Sequence, residues 1–374
     1  LGGKDLIGIA QTGTGKTLAF SIPMIEHLAG NNSLGLILLP TRELALQVDE
    51  TVRLAGRPFS LQTAVLIGGE AIFRQLQALK RRPSVIIATP GRLIDHLERK
   101  SVNLQKVSVL VLDEADRMFD MGFAPQIKEI LEHVPRERQT MLFSATMPPE
   151  IMKLVHQYMH LPVRIETAPQ GKPAENVTQE LFIVSKEDKK NLLLEILQEK
   201  TGTVLVFTRT KYAAKALTRF LIARGITAAE IHSNRTLAQR KSALEGFKKG
   251  RYRILVATDI AARGIDVTDI SLIVNFDLPD ETENYVHRIG RTARAGKKGH
   301  AVSFATPDQE LVIRRIEKMT NIEIQVSRHH KITVQEFDLR PQPVSRRGGA
   351  PGGYKPFWKN KNRGKFSGGR KFTR

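Results

Sequence analysis

The segment AQTGTGKT, Ala10 to Thr17, sets two glycines, a lysine and a threonine between a short apolar run and a helix-period run beginning near Lys16. That spacing suits phosphate chemistry. Gly13 and Gly15, with Thr14 between them, can turn backbone N–H groups toward phosphate oxygens, and the helix start adds its partial positive charge. Lys16 would reach the β and γ phosphates of a nucleotide such as ATP, and Thr17 would ligate Mg²⁺. Ala10 stands where the generic pattern has its first glycine, a small residue that preserves close packing. A Gly-rich turn with no ligand is the other reading of the string alone.

A second group ends an apolar run: in VLVLDEAD, Asp113, Glu114, Ala115 and Asp116 sit at a strand's carboxyl edge. Asp113 is placed to hold Mg²⁺ through water and Glu114 to orient or deprotonate an attacking water. The same carboxylates also read as a helix N-cap. A P-loop with an acidic strand end leaves kinases, transporters and motors open.

The elements that must position these groups are short Val/Ile/Leu-rich strands alternating with longer helix-period runs: GLILLP, TAVLIGG, SVIIATP and VSVLVLDEAD, then TVLVFTR, YRILVATD and ISLIVNFD. Continuous apolar strands joined by helices predict an α/β fold with buried parallel sheets. The halves resemble each other. Thr41 matches Thr208, Thr63 matches Thr227 and Thr89 matches Thr258, at separations of 167, 164 and 169 residues in preserved order. A duplicated α/β unit accounts for this, and paired loops at the carboxyl ends of paired strands would line one surface.

Breaks in composition divide the chain. TAPQGKPAEN, Thr167 to Asn176, separates a helix-like run (148–159) from a strand-like run (177–184), giving expected domains at 1–168 and 176–336 with a linker at 169–175. Residues 337–374 form an expected disordered basic tail, because a Gly- and Pro-rich segment buries too little apolar surface to fold alone. Residues 341–374 hold ten Lys or Arg and no acid, so half of the net charge of +20 lies there and +10 in the first 340 residues. A 374-residue chain of that charge suits two domains and a polyanionic partner. No apolar run reaches the length of a spanning helix, which excludes an integral membrane reading. The absence of cysteine excludes disulfides and Cys-ligated zinc and fits a reducing cytoplasm. Because it opens on Leu1, the chain is expected to be a fragment or processed form.

The whole ordered set closes the choice. PTRELA at Pro40, Gly68–Gly69, TPGRL at Thr89, DEAD at Asp113, SAT at Ser144, VFTRTK at Val206, ATDIAARGID at Ala257 and HRIGRTAR at His287 resemble the motifs of DEAD-box ATP-dependent RNA helicases, in family order. The resemblance spans roughly residues 1–310 and is nearest to bacterial members, with the RhlE-like group suggested by the basic tail.

The resemblance implies two tandem RecA-like domains, RNA-stimulated ATP hydrolysis and local separation of RNA duplexes; an ATP-gated RNA clamp that never separates strands is the alternative. Lys16, Asp113, Glu114, His287, Arg291 and Arg294 form the implied catalytic set, with Arg291 and Arg294 as arginine fingers and His287 as a phosphate sensor. Asp259, Gly264 and Asp266 would help close the nucleotide site, and Ser144 with Thr146 would link nucleotide state to RNA grip. Pro40, Thr41, Arg42, Gly69, Thr89, Gly91 and Arg92, with Thr208, Arg209, Arg240 and Thr258, match RNA-backbone contacts. Binding through backbone and 2′-OH groups would be largely independent of sequence, and the tail would add affinity. A monomer in the cytoplasm, with partners in ribosome assembly or RNA decay, completes the expectation. Two departures stand out. The family's adenine-reading glutamine lies upstream of the P-loop, outside these residues, and Ala293 replaces a common glycine where φ > 0 would be disfavoured.

Overall fold

Strand-forming runs here are apolar at consecutive positions, so both faces of each strand need covering. In the computed structural model, which describes residues 2–10, 14–166, 177–262, 267, 270–293, 298–330 and 335–337, two seven-stranded sheets meet that demand. The first contains β1 (Leu6–Ile9), β2 (Leu34–Leu38), β3 (Thr63–Leu66), β4 (Val85–Ala88), β5 (Val107–Leu112), β6 (Gln139–Ser144) and β7 (Val163–Glu166), in the order β3-β4-β2-β5-β6-β1-β7. The second contains β8 (Val177–Ile183), β9 (Val204–Phe207), β10 (Ala228–Ile231), β11 (Ile254–Ala257), β12 (Leu272–Asn275), β13 (Gly299–Ala305) and β14 (Gln325–Val326), in the order β10-β11-β9-β12-β13-β8-β14. Every described pairing is parallel. The two orders are the same, strand for strand, which is the duplication expected from the sequence.

Period-two alternation splits each sheet between two cores. Leu36, Leu38, Leu110 and Leu112 face α4 (Pro90–Glu98), α5 (Ala115–Asp120), α6 (Ala124–His133) and α7 (Pro149–Tyr158). Their neighbours Ile37, Val109 and Val111 face α1 (Lys16–Leu28) and α2 (Arg42–Gly56) through Phe20, Met24, Val48 and Val52. In the second sheet Val204, Val206, Val256 and Val274 pack on α8 (Lys189–Glu199) and α9 (Lys211–Ile222). Leu205, Phe207, Leu255 and Ile273 pack on α10 (Leu237–Lys248), α12 (Thr282–Ile289) and α13 (Glu310–Thr320).

The ladders correct the residue-by-residue alignment of the halves. Leu38 stands opposite Ala88 and Phe207 opposite Ala257, and the following N–H groups, of Leu39 and Thr208, bond Ala88 O and Ala257 O at 3.0 and 2.9 Å. Thr208 is therefore the counterpart of Leu39, and Thr41 that of Thr210. Both of these threonines are N-caps, accepting from Leu44 N at 3.3 Å and Ala213 N at 3.1 Å. Thr63 likewise matches Ala228 rather than Thr227, while Thr89 and Thr258 are paired as expected. The sequence match aligned threonine with threonine; the hydrogen-bond register does not follow residue type.

Contacts divide the chain into Leu1–Asp338 and Leu339–Arg374, the latter outside the described residues. Most of the expected linker and tail shares that position, but Phe337 packs on the second core. Among the described residues no helix is long and apolar enough to cross a membrane.

Candidate active site

Parallel strands deliver their loops to one edge, and the chemistry of this chain gathers at those carboxyl ends. At the end of β1, Gly15 takes φ 84 as N-cap of α1, a left-handed turn open to glycine, with nothing within 4 Å of where a Cβ would sit. No side chain caps α1 and its first turn holds no acid, so its N-terminal N–H groups and partial positive charge face outward. Lys16 and Thr17 are half-buried, Thr14 is exposed, and Lys16 Nζ donates to Ala10 O at 3.0 Å. A pocket of about 440 Å³ opens beside them, lined by Ala10, Thr14, Lys16, Pro23, Phe143 and Ile165.

At the end of β5, Asp113 is 3% exposed and Glu114 4%. Burial pushes the Asp113 carboxyl up to about 6, against the pull of Lys16, with Glu114 adding repulsion. Glu114 sits at φ 52, ψ 49, and its Oε2 accepts from Arg117 Nη1 at 2.8 Å, both side chains buried. Asp116 is a hub: Oδ1 accepts from Arg117 N at 3.0 Å, while Oδ2 accepts from Ala145 N, Thr146 N and Thr146 Oγ1 at 3.0, 2.9 and 3.1 Å. Ser144 Oγ accepts from Asp116 N at 3.1 Å and donates to Thr146 O at 2.6 Å. The acidic loop and the SAT loop are thus joined directly by three donors to the Asp116 carboxylate and by the Ser144 hydroxyl.

A second group of residues lies along the same edges. Pro40, Thr41 and Thr89 are buried, Thr41 and Thr89 as N-caps of α2 and α4. Gly69, at φ 79, lies under the Arg42 guanidinium, where any Cβ would collide with Nη1. Gly91 and Arg92 are half-buried on α4, with Arg92 reaching Glu70 O at 3.4 Å and Asp95 at 3.3 Å. Behind them Gln75 donates to Ile67 O at 2.9 Å and meets His96 Nε2 at 3.2 Å, anchoring the strand end before Gly68.

In the second lobe Thr208 is buried, with Oγ1 donating to Thr210 O at 3.4 Å. Arg209 is exposed, its N–H held by Asp277 Oδ2 at 3.0 Å and its Nε 3.3 Å from Asp280. Thr258 is half-buried and its carbonyl accepts from Ala261 N and Ala262 N. A narrow cleft is lined by Arg117 from the first lobe and by Asp259, His287, Arg288 and Arg291 from the second.

The match to known proteins is extensive. Residues 1–154 fit the DEAD/DEAH box helicase family and residues 188–296 the helicase conserved C-terminal domain. The DEAD-box ATP-dependent RNA helicase CshA of Geobacillus kaustophilus is 44% identical over 320 residues, covering 85% of this chain and 68% of that protein. This chain belongs to the DEAD-box RNA helicase family. CshA of Bacillus licheniformis is 44% identical over 323 residues, covering 86% of the chain and 66% of the relative, so the chain spans about two thirds of these curated relatives. Among solved structures, Mss116p bound to ssRNA and AMP-PNP matches with TM-score 0.80 at 31% identity, over 87% of this chain and 71% of that one. S. cerevisiae Dbp5 bound to RNA and ADP BeF3 matches at 0.76 and 29%, over 87% and 85%. The two sheets are the tandem RecA-like domains of the family.

Several motif residues of this DEAD-box chain have partners that spacing alone did not suggest. Asp259 is held bidentately by buried Arg288, whose Nε and Nη2 lie 2.6 Å from its two oxygens. Arg240 reaches across the lobes to Glu43 Oε2 at 3.1 Å, a charge contact without aligned hydrogen bonds. Burial lowers the Arg240 pKa, with Glu43 opposing. Ala293 does adopt the disfavoured region, at φ 56, which costs an alanine about 1–2 kcal/mol relative to glycine. Gly13, Gly264, Asp266 and Arg294 lie outside the described residues. Sequence reading assigned no role to Asp116, Arg117, Arg288, Glu43 or Asp277. Asp116, Arg288 and Glu43 lie inside the quoted motifs and Arg117 directly follows one, which was the available signal; the partners of Glu43 and Asp277 are distant in sequence.

Proposed function

We propose that the protein is an ATP-dependent RNA helicase, in which RNA-stimulated ATP hydrolysis drives local duplex separation or RNA–protein remodelling. The observation that carries this reading is the bonded path from Glu114 through Arg117 and Asp116 to Ser144 and Thr146, which joins the hydrolytic carboxylate to the adjoining loop. The similarity to relatives named as ATP-dependent RNA helicases, and to two solved with RNA, supports ATP and RNA as its ligands.

The uncapped start of α1, with Gly13, Thr14 and Gly15 before Lys16, suits the phosphates of ATP. Buried Asp113, whose ionised form is costly without a cation, suits Mg²⁺ together with Thr17, and Mg²⁺ when bound neutralises developing phosphate charge. Lys16 binds the β and γ phosphates, and Glu114 orients or deprotonates the attacking water. Arg291 and Arg294 act as arginine fingers and His287 as the phosphate sensor, with Asp259, Gly264 and Asp266 closing the nucleotide site. Pro40, Thr41, Arg42, Gly69, Thr89, Gly91 and Arg92, with Thr208, Arg209, Arg240 and Thr258, contact the RNA backbone without reading bases.

The same proposal places domain limits at 168 and 176, assigns the tail an RNA-anchoring role and makes the protein a cytoplasmic monomer of the RhlE-like kind. A short labelled duplex incubated with ATP, with ADP and without nucleotide tests the function. Strand separation confined to ATP is expected. ATP-dependent retention of RNA with no separated strands would instead establish the clamp, and neither effect would overturn both.

A further inference from the structure

The second lobe repeats the strand order of the first, so each phosphate-handling residue of the first lobe has a counterpart place in the second. Strand β8 and helix α8 correspond to β1 and α1, which puts Lys189, first residue of α8, where Lys16 begins α1. Strand β12 corresponds to β5, and Asp277 N–H donates to Phe207 O much as Asp113 N–H donates to Leu38 O. The second lobe therefore carries its own lysine–aspartate pair.

It lacks the phosphate cradle. The connection Val184 to Asp188 contains no glycine, and Ser185 and Asp188 bond each other, Ser185 Oγ to Oδ2 at 2.8 Å and Asp188 N to Oγ at 3.1 Å. Lys189 is 5% exposed, and its Nζ donates to Phe276 O at 2.8 Å and lies 3.3 Å from Asp277 Oδ1. Its charge is spent inside the lobe. The other carboxylate oxygen of Asp277 holds Arg209 N–H at 3.0 Å, and Asp277 O accepts from Arg288 Nη1 at 2.6 Å.

We propose that this pair has the geometry of a phosphate site turned to a different use: Lys189 is a positioning residue that fixes Asp277, and through it the Thr208–Arg209 segment that grips RNA. The inference rests on the assignment of that segment as an RNA contact. Removing the ammonium leaves a carboxylate in a largely buried place with only the Arg209 N–H to answer it, so it turns toward water and releases that N–H. Neutralising both partners leaves no stranded charge, and an asparagine carbonyl can still accept from Arg209 N–H.

The test is RNA-stimulated ATPase of the full chain, with half-saturating RNA and maximal turnover measured separately for the parent, Lys189→Met and Lys189→Met/Asp277→Asn. Lys189→Met should raise half-saturating RNA about tenfold with maximal turnover within about twofold of the parent, and the double variant should recover most of the shift. Thermal unfolding is followed on each protein, and the double variant carries the test should the single one melt below assay temperature, its near-parental RNA requirement then being the expected result. Unchanged half-saturating RNA in folded Lys189→Met overturns the inference alone. So does a loss of turnover that the double variant fails to restore. A parent that RNA does not stimulate overturns the helicase reading itself, and this inference with it.

Discussion

Replacing Asp116 by alanine removes the acceptor for four donors at once: Arg117 N, Ala145 N, Thr146 N and Thr146 Oγ1. A buried donor left without a partner costs about 1–3 kcal/mol. Ala145 and Thr146 are half-buried, so water replaces part of what they lose, and the total comes to roughly 2–5 kcal/mol of folding stability. Asparagine behaves differently. With its carbonyl turned to the three donors of the Ala145–Thr146 loop, only the Arg117 N–H goes unanswered, a loss of about 1 kcal/mol. Urea unfolding should therefore rank parent, Asp116→Asn and Asp116→Ala in that order. Because the same carboxylate joins the Glu114 loop to the SAT loop, both variants should, on the proposed function, open fewer duplexes per ATP consumed, alanine most severely. An alanine variant within about 0.5 kcal/mol of the parent, the range of an inconsequential surface change, would refute the role given to this carboxylate. An asparagine variant as damaging as alanine would refute it equally.

Glu114→Gln keeps the shape and removes the charge, so ATP binding should persist while hydrolysis stops and RNA stays bound; parental turnover in a phosphate-release assay would remove Glu114 from the mechanism. Asp113 has its folded pKa raised to about 6, so its ionised form penalises the nucleotide-free fold above that pH and the penalty fades as pH falls through it. Asp113→Asn should accordingly melt higher than the parent near neutral pH, keep about half of that advantage at about pH 5 and lose it only below about pH 4, where the carboxyl is protonated in both states; an advantage independent of pH would refute the assignment. Glu43→Gln releases Arg240, so nucleotide-free affinity for single-stranded RNA, read by fluorescence anisotropy, should rise several-fold; unchanged or weaker binding would show that the pair does not restrain Arg240. Deleting residues 341–374, which hold ten positive charges, should flatten the slope of log affinity against log salt by roughly 2 to 5, at about 0.7 per phosphate contact, with ATPase at saturating RNA unchanged. Equal salt slopes for the two proteins would deny the tail a role in anchoring RNA.

The parallel sheets were legible because their strands are apolar without interruption, and the site because its residues fall where such strands end. β7 escaped notice for the opposite reason: Val163 to Glu166 is an exposed edge strand that alternates apolar with charged residues and buries nothing. Thr41 was matched to Thr208 because residue type, unlike ladder register, is what a sequence displays. Pairings across long separations, Arg240 with Glu43 or Lys189 with Asp277, leave no local trace at all. Arg288 lay inside a recognised motif, yet an arginine there reads as solvated until the fold shows it buried against Asp259, Asn275 and the Phe207 ring.

These partners bear on how the two lobes could act together. Glu114, proposed to face water, is held by Arg117, and Arg240, proposed to face RNA, is held by Glu43 from the other lobe. Each contact is a partly or wholly desolvated ion pair, so freeing one member without a replacement charge is costly. On the proposed role of Arg240, an RNA phosphate would supply that replacement, since a guanidinium pairs with phosphate in place of carboxylate with similar geometry. Arg117 lines the cleft that also contains His287 and Arg291, so a γ phosphate drawing Arg291 toward the first lobe would change the field around the Arg117–Glu114 pair. On the proposed roles, Arg240 would exchange Glu43 for RNA at one end of the lobe–lobe contact and Arg117 would feel the nucleotide at the other, with Asp116 joining the Glu114 loop to the SAT loop.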